Sequence, residues 1–201
     1  MKGQARAPKT DTAIRKRQIV QAAVDLVAKR GLTGFSVAEL ARRVGLSAAG
    51  IYRHFSSKED ILDAVVDLVR SSMTESVLAA RGEGKGALDT LKLIMNRHLD
   101  MVMRNPGIPR VLLSDRAVTE RPSRKARVQG VLNEVARMLE ETVASGQESG
   151  ELRKDLPARS VADVIMAVIR NGVFRWHMSD GQYDMKRYLD GAWKVVSAAV
   201  K

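Results

Sequence analysis

The sequence predicts an all-α protein of about nine helices, because apolar residues recur near every 3.6 positions along most of the chain. Three further observations agree. Aromatic residues make up only 4% of the chain, no long run alternates in polarity, and residues 36–55 spell two short helices joined by a glycine turn. A chain of 201 residues that is 45% hydrophobic has enough apolar material for a real core, with a length between one and two average domains.

Met1 to Thr10 carries Lys2, Arg6 and Lys9 beside Pro8 without apolar periodicity, so residues 1–10 read as a basic arm, either tracking a minor groove or without a role. The first helix follows from Asp11, with Asp11 or Thr12 as its cap, Ile19, Ala22, Ala23, Leu26 and Val27 as core face and Gly31 just past its end. Arg15, Lys16 and Arg17 in its first turns form either a cluster facing a nucleic-acid backbone or a solvated face.

Between Ser36 and Phe55 the spacing is the most informative in the chain. Val37, Leu40, Ala41 and Val44 mark one face of a short helix, framed by Ser36 and Glu39 in a reciprocal capping arrangement and stopped at Gly45. Ser47 then caps a second helix that buries Ile51 and Phe55 and turns Ala48, Ala49, Gly50, Tyr52, Arg53 and His54 outward. A helix start with so little bulk is suited to close approach to another surface. In helix-turn-helix proteins the second helix enters the DNA major groove, where an arginine grips O6 and N7 of guanine. Arg53 fits that role, with Tyr52 and His54 in reach of phosphates or base edges; a helical hairpin serving only as packing is the competing reading.

Ser57 opens a longer helix through Ile61, Leu62, Val65, Val66, Val69 and Met73, whose first amides and Lys58 are placed to hold a phosphate. Arg81 to Gly86 reads as a linker; its Gly-Lys pair lacks the spacing and the following Ser or Thr of a phosphate-binding loop. Further helices are expected over 87–104, broken at Asn105-Pro106-Gly107, and over 108–118, ending before Arg121-Pro122. Two apolar stripes come next, Val128 to Val143 ending near Gly146, and Val161 to Trp176 ending near Asp180-Gly181. The loop around 150–157 makes them antiparallel neighbours. A last helix over 184–200 carries Tyr188, Leu189, Trp193, Val196 and Val200.

The order of these parts, and in particular IVQAAVDLVAKRGLTGFSVAELARRVGLSAAGIYRHFSSKEDIL, resembles the TetR (tetracycline repressor) family of bacterial transcription regulators. The resemblance is specific over about residues 14–62 and architectural beyond them. It implies a three-helix DNA-binding domain over 11–56 and a helical ligand-binding and dimerisation domain over 57–201, acting as a homodimer on double-stranded DNA. Carried over by position, Ala48, Ala49, Gly50 and Arg53 face the groove, while Tyr52 and Lys58 fall where the family touches phosphate. Arg15, Ser36, Ser47 and His54 complete the expected DNA-binding set. Small residues at 48–50, where relatives place lysine, proline or threonine, leave fewer direct base contacts. The implied dimer is a four-helix bundle, for which Val131, Val135, Met138, Leu139, Ile165, Ile169, Gly172, Val173 and Trp176 are the candidates. A small-molecule effector is expected in the body, lined by Met95, His98, Leu99, Met103, Leu112, Phe174 and His177; each of these is also a plausible core residue.

Charge supports a polyanionic partner. Residues 1–60 hold 12 Lys and Arg against 5 Asp and Glu, and the remaining chain holds 22 against 18 within a total of +11. The chain contains no cysteine, so disulfides and thiolate metal sites are excluded and a reducing cytoplasm fits. The apolar stretch 161–176 is interrupted by Asp163 and Arg170, so no membrane span is expected. The three histidines fall on separate helices without metal-ligand or acid-base spacing; no metal, no cofactor and no enzymatic activity are expected. The expected function is a ligand-responsive regulator, most simply a repressor on a palindromic operator. A DNA-associated structural or cell-division factor on the same scaffold is the alternative.

Overall fold

Helix α1 (Thr12–Arg30) buries one face through Ile19, Val20, Ala23, Val24, Leu26 and Val27, as the apolar spacing requires. It belongs to a computed structural model that describes residues 12–112 and 121–201. The expected arm 1–10, the Asp11 cap and the stretch 113–118 lie outside the described residues. Among those described, nine helices and no strand are present.

Three serines start the next three helices. Ser36 Oγ accepts from the Glu39 amide at the head of α2 (Val37–Arg43), Ser47 Oγ from the Gly50 amide at α3 (Ala48–Tyr52), and Ser57 Oγ from the Asp60 amide at α4 (Lys58–Glu83). Gly45, with φ of 67°, makes the left-handed turn between α2 and α3. The expected return bond from Glu39 to Ser36 is absent; the Glu39 carboxylate lies instead 3.7 Å from Arg30 Nε on α1. Leu40, Ala41, Ile51 and Phe55 close the small core against α1.

α4 is longer than the sequence suggests, running into the expected linker as far as Glu83. It packs along α1 at one end and along α5 (Ala87–Arg104) and α7 (Pro122–Glu148) at the other. A short helix, α6 (Gly107–Leu112), lies between the two halves and touches both α1 and α4. Its entry is tight. A β-carbon at Gly107 would collide with the Val24 carbonyl oxygen of α1, so only glycine allows α6 to sit this close. α7 pairs with α8 (Ala158–Met178), and α9 (Met185–Val200) covers α5 and α8.

This packing corrects the expected dimer face. Val131, Val135, Met138, Leu139, Ile165 and Ile169 are buried inside their own chain, because α7 and α8 turn these stripes toward α4 and α5. Gly172 faces the chain's own Tyr188, whose ring would stand 3.0 Å from a β-carbon there. Trp176 and Val173 are half-buried against the same core.

The N-terminus of α5 has no capping side chain of its own, since Gly86 precedes it. Glu151, from the α7–α8 loop, supplies one: its carboxylate accepts from the Ala87 and Leu88 amides at 2.5 and 3.0 Å. Glu151→Ala is therefore expected to lower unfolding free energy by about 1–2 kcal/mol, read from urea denaturation. An unchanged midpoint would show that water serves those amides equally well.

Candidate functional site

Two features stand apart from ordinary packing: the outward surface around α3 and a cavity in the body. On α3 the exposed residues are Ala48, Ala49 and Tyr52, followed by Arg53 at the C-cap. Ser36 and Ser47 hold their helix starts with their oxygens and keep hydroxyl protons free to donate to a phosphate.

Four of the expected contacts sit differently. Gly50 is buried, turned against Leu46 and Ser47 rather than outward. His54 is half-buried with its Nδ1 enclosed and without a hydrogen-bond partner, so its ring points into the fold. Lys58 donates to the Phe35 carbonyl oxygen at 2.8 Å and lies 5.2 Å over the Phe35 ring, which makes it a tie between α4 and the α1–α2 loop. The α4 start is in addition acidic, with Glu59 and Asp60 in its first turn. Hydrogen bonds from Ser57 and the Ser56 amide hold the Asp60 carboxyl below its ordinary range. A phosphate gains little there. Arg15 is half-buried, and Lys16 lies 5.7 Å over the Phe55 ring, so part of the α1 cluster packs on the fold.

The body encloses a cavity of about 440 Å³ between α4, α5, α6, α7 and α8. Its walls are mainly apolar: Val66, Val69, Met73 and Val77 from α4, Ile94, Met101 and Val102 from α5, Ile108, Pro109 and Leu112 from α6. Val128, Val131 and Val135 of α7, with Met166, Ile169 and Val173 of α8, complete them. Four residues assigned from sequence to a partner surface, Val131, Val135, Ile169 and Val173, thus line the cavity. Polar groups line it as well, among them Ser72 and Ser76 of α4, Arg97 of α5, and the exposed Asn133 of α7 and Arg159, Asp163 and Arg170 of α8. Arg159 is held by Glu140 and Asp163 at 3.5 and 3.2 Å.

Of the seven ligand contacts expected from sequence, the cavity receives His98 and Leu112. Met95 and Leu99 are on α5 but point into solid core, Met103 and Phe174 are exposed on the outer surface, and His177 is half-buried at the far end of α8. Helical spacing tells which face is apolar but not whether a void lies beyond it. That is why the α4 wall was not legible and Met95 was misplaced by one position from the lining residue Ile94.

Among the described residues, no group of three or more His, Asp or Glu side chains is arranged to hold a metal ion, and no helix is long and apolar enough to cross a membrane. His98 is the imidazole in the cavity wall, and burial lowers its pKa from 6.5 to about 4. It therefore stays neutral at physiological pH and offers one donor and one acceptor. The unfolded chain takes up this proton near pH 6.5 and the folded chain only near 4, so the folded state loses stability as pH falls through that window. The loss attributable to His98 reaches about 3 kcal/mol. Comparing urea midpoints at pH 7 and pH 4.5, His98→Gln should show a smaller drop than the parent protein; an equal drop would assign the acid sensitivity elsewhere.

Residues 19–65 match the family described as bacterial regulatory proteins, tetR family, and residues 62–199 match the C-terminal region of YsiA-like protein. The nucleoid occlusion factor SlmA of Vibrio cholerae is 26% identical over 192 residues, covering 93% of this chain and 96% of the relative. Among solved structures, the fatty acid degradation regulator FadR from Bacillus halodurans superposes with a TM-score of 0.79 at 22% identity, covering 96% of each chain. FadR from Bacillus subtilis in complex with stearoyl-CoA gives 0.76 at 21% identity, over 92% of this chain and 99% of the other. With a capped helix-turn-helix at one end, a hollow helical body at the other, and matched families that together cover residues 19–199, the chain belongs to the TetR family of bacterial transcription regulators.

Proposed function

We propose that the protein is a homodimeric repressor that occupies a palindromic operator through two copies of α3 and leaves it when a small amphiphile fills the body. The observation that carries this reading is the pairing of an exposed, low-bulk reading helix with a largely apolar 440 Å³ cavity in one chain. Ala48 and Ala49 let the helix start approach the groove closely, and Arg53 supplies the forked donor for a guanine. Ser36, Ser47 and Tyr52 fix the register on phosphates.

The cavity favours a long apolar group with a polar or anionic end. His98 gives one neutral hydrogen-bonding group among the aliphatic walls, and the exposed Arg170 of the lining has no ion-pair partner among the described residues. A fatty acyl thioester has that chemistry, and the similarly folded Bacillus subtilis FadR was crystallised with stearoyl-CoA.

A second copy is given a surface by α8 and α9. Val164, Phe174 and Met178 are 53%, 51% and 66% exposed along one stripe of α8, and Val195 is 72% exposed on α9 beside the small residues Gly191 and Ala198. Packed two-fold, these helices form a four-helix bundle. The partner face thus passes from the buried stripes of α7 and α8 to the outer stripe of α8 together with α9.

A second reading is supported by the SlmA relatives, which are named for nucleoid occlusion and match nearly the whole chain. On that reading the protein binds many sites and ignores small molecules. Selection of bound fragments from source genomic DNA, followed by titration of the best fragment with stearoyl-CoA, separates the two. Release from one palindromic site supports the repressor; many sites without release support the nucleoid factor.

Two variants test the parts. Arg53→Ala should weaken the selected site by about 1–3 kcal/mol and relax preference at one base pair; unchanged binding would remove Arg53 from the groove. Val195→Glu should halve the mass seen by light scattering to the 22.1 kDa of one chain and weaken operator binding. A persistent dimer would place the partner face elsewhere.

A further inference from the structure

Arg124 is charged, yet only 1% exposed, among the most enclosed side chains of the protein. It sits in the first turn of α7 and reaches across to the first turns of α4. Its Nε donates to Asp63 Oδ1 at 2.6 Å, and one Nη2 donates to both the Glu59 carboxylate at 2.8 Å and the Glu59 main-chain carbonyl at 3.0 Å. A guanidinium that grips a carboxylate, a second carboxylate and a backbone oxygen at once fixes direction as well as distance. Glu59 is the neighbour of Lys58, which is tied to the Phe35 carbonyl inside the DNA-reading half.

The position of Arg124 on its helix matters as much as its partners. Residues 124, 128, 131 and 135 are spaced by four, three and four, so they share one face of α7. Val128, Val131 and Val135 of that face line the cavity. Any rotation or shift of α7 that makes room for a ligand must therefore move the Arg124 grip one turn further along.

We infer that Arg124 is the positioning residue through which α7 sets the angle of the DNA-reading half: a clamp that couples occupancy of the cavity to the first turn of α4. It touches neither DNA nor ligand. Cavity-driven movement of α7 pulls on Glu59 and Asp63, and through Lys58 and Phe35 on the α1–α2 loop. The role in signalling rests on the ligand-responsive reading above, whereas the clamp itself rests on the Arg124 contacts alone.

The absence of cysteine makes the test direct, because spin labels can be placed at introduced cysteines alone. One pair, Ala38→Cys with Gln129→Cys, spans α2 and α7; a control pair, Lys92→Cys with Gln129→Cys, lies wholly in the body. All three labelled positions, Ala38, Lys92 and Gln129, are exposed, on α2, α5 and α7 respectively. Distances are measured by pulsed electron resonance in full-length protein diluted with unlabelled chains. Arg124→Lys keeps the charge and loses the fork, and the double variant Arg124→Met with Asp63→Leu replaces the ion pair by apolar groups of similar size, which avoids leaving a buried charge unpaired.

In the parent protein the α2–α7 distance should be single and narrow. In both variants it should broaden or shift while the control distance stays fixed. An unchanged α2–α7 distribution overturns the clamp, and so does a change in the control pair, which would make Arg124 a support of the body alone. Titration of the operator complex with stearoyl-CoA supplies the second readout. The parent should lose affinity by about tenfold or more, and the double variant by less than about threefold at equal ligand binding. If stearoyl-CoA has no effect on the parent while the distances change as expected, the acyl-effector reading fails and the clamp stands.

Discussion

One helix has to satisfy both halves of the molecule at once. α4 runs unbroken over 26 residues, Lys58 to Glu83, a rod of about 39 Å. Its first turn is fastened into the helix-turn-helix region, and its middle forms a wall of the cavity. A continuous helix does not bend locally at low cost, since each turn is held by the hydrogen bonds of the next. Movement at the cavity wall is consequently carried to the other end as a change of angle, and whatever fixes the ends of α4 decides where that movement goes.

The same constraint explains why the core does not divide at residue 57. Buried residues from α1 and the first turns of α4 join those of α5, α7, α8 and α9 in one continuous cluster. α6 reinforces the junction: Ile108 and Leu112 look into the cavity while Gly107 rests on the backbone of α1. The α3 surface and the cavity are thus separate in position but not in packing, the arrangement that a population shift between two global states would require.

The helix-turn-helix was legible because its signals are local. Serine caps, Gly45 and the spacing of Leu40, Ala41 and Ile51 act within a few residues, and the structure places each as the spacing implies. The body was legible as helices but not as surfaces. Val131 and Ile169 carry the same apolar periodicity whether they meet a partner, a core or a void, and only the three-dimensional arrangement of five helices shows that they meet a void. Long-range polar contacts were the least accessible. Lys58 to Phe35, Glu151 to the start of α5, and Arg124 to Glu59 and Asp63 join residues 23 to 65 positions apart, and no spacing rule announces them. For His54 and Gly50 the difficulty was one of phase: a helix of five residues is too short for periodicity to fix which side faces out.

The bareness of Ala48 and Ala49 has a consequence for how such a protein would be distributed on a chromosome. Two methyl groups can favour a thymine and one arginine a guanine, but every remaining position in the half-site would be read through the stiffness and groove width of the DNA. Discrimination of that kind is shallow. Sites of graded quality would fill in turn as protein concentration rose, and the number of molecules per cell, more than any one sequence, would decide how many loci are held at a time.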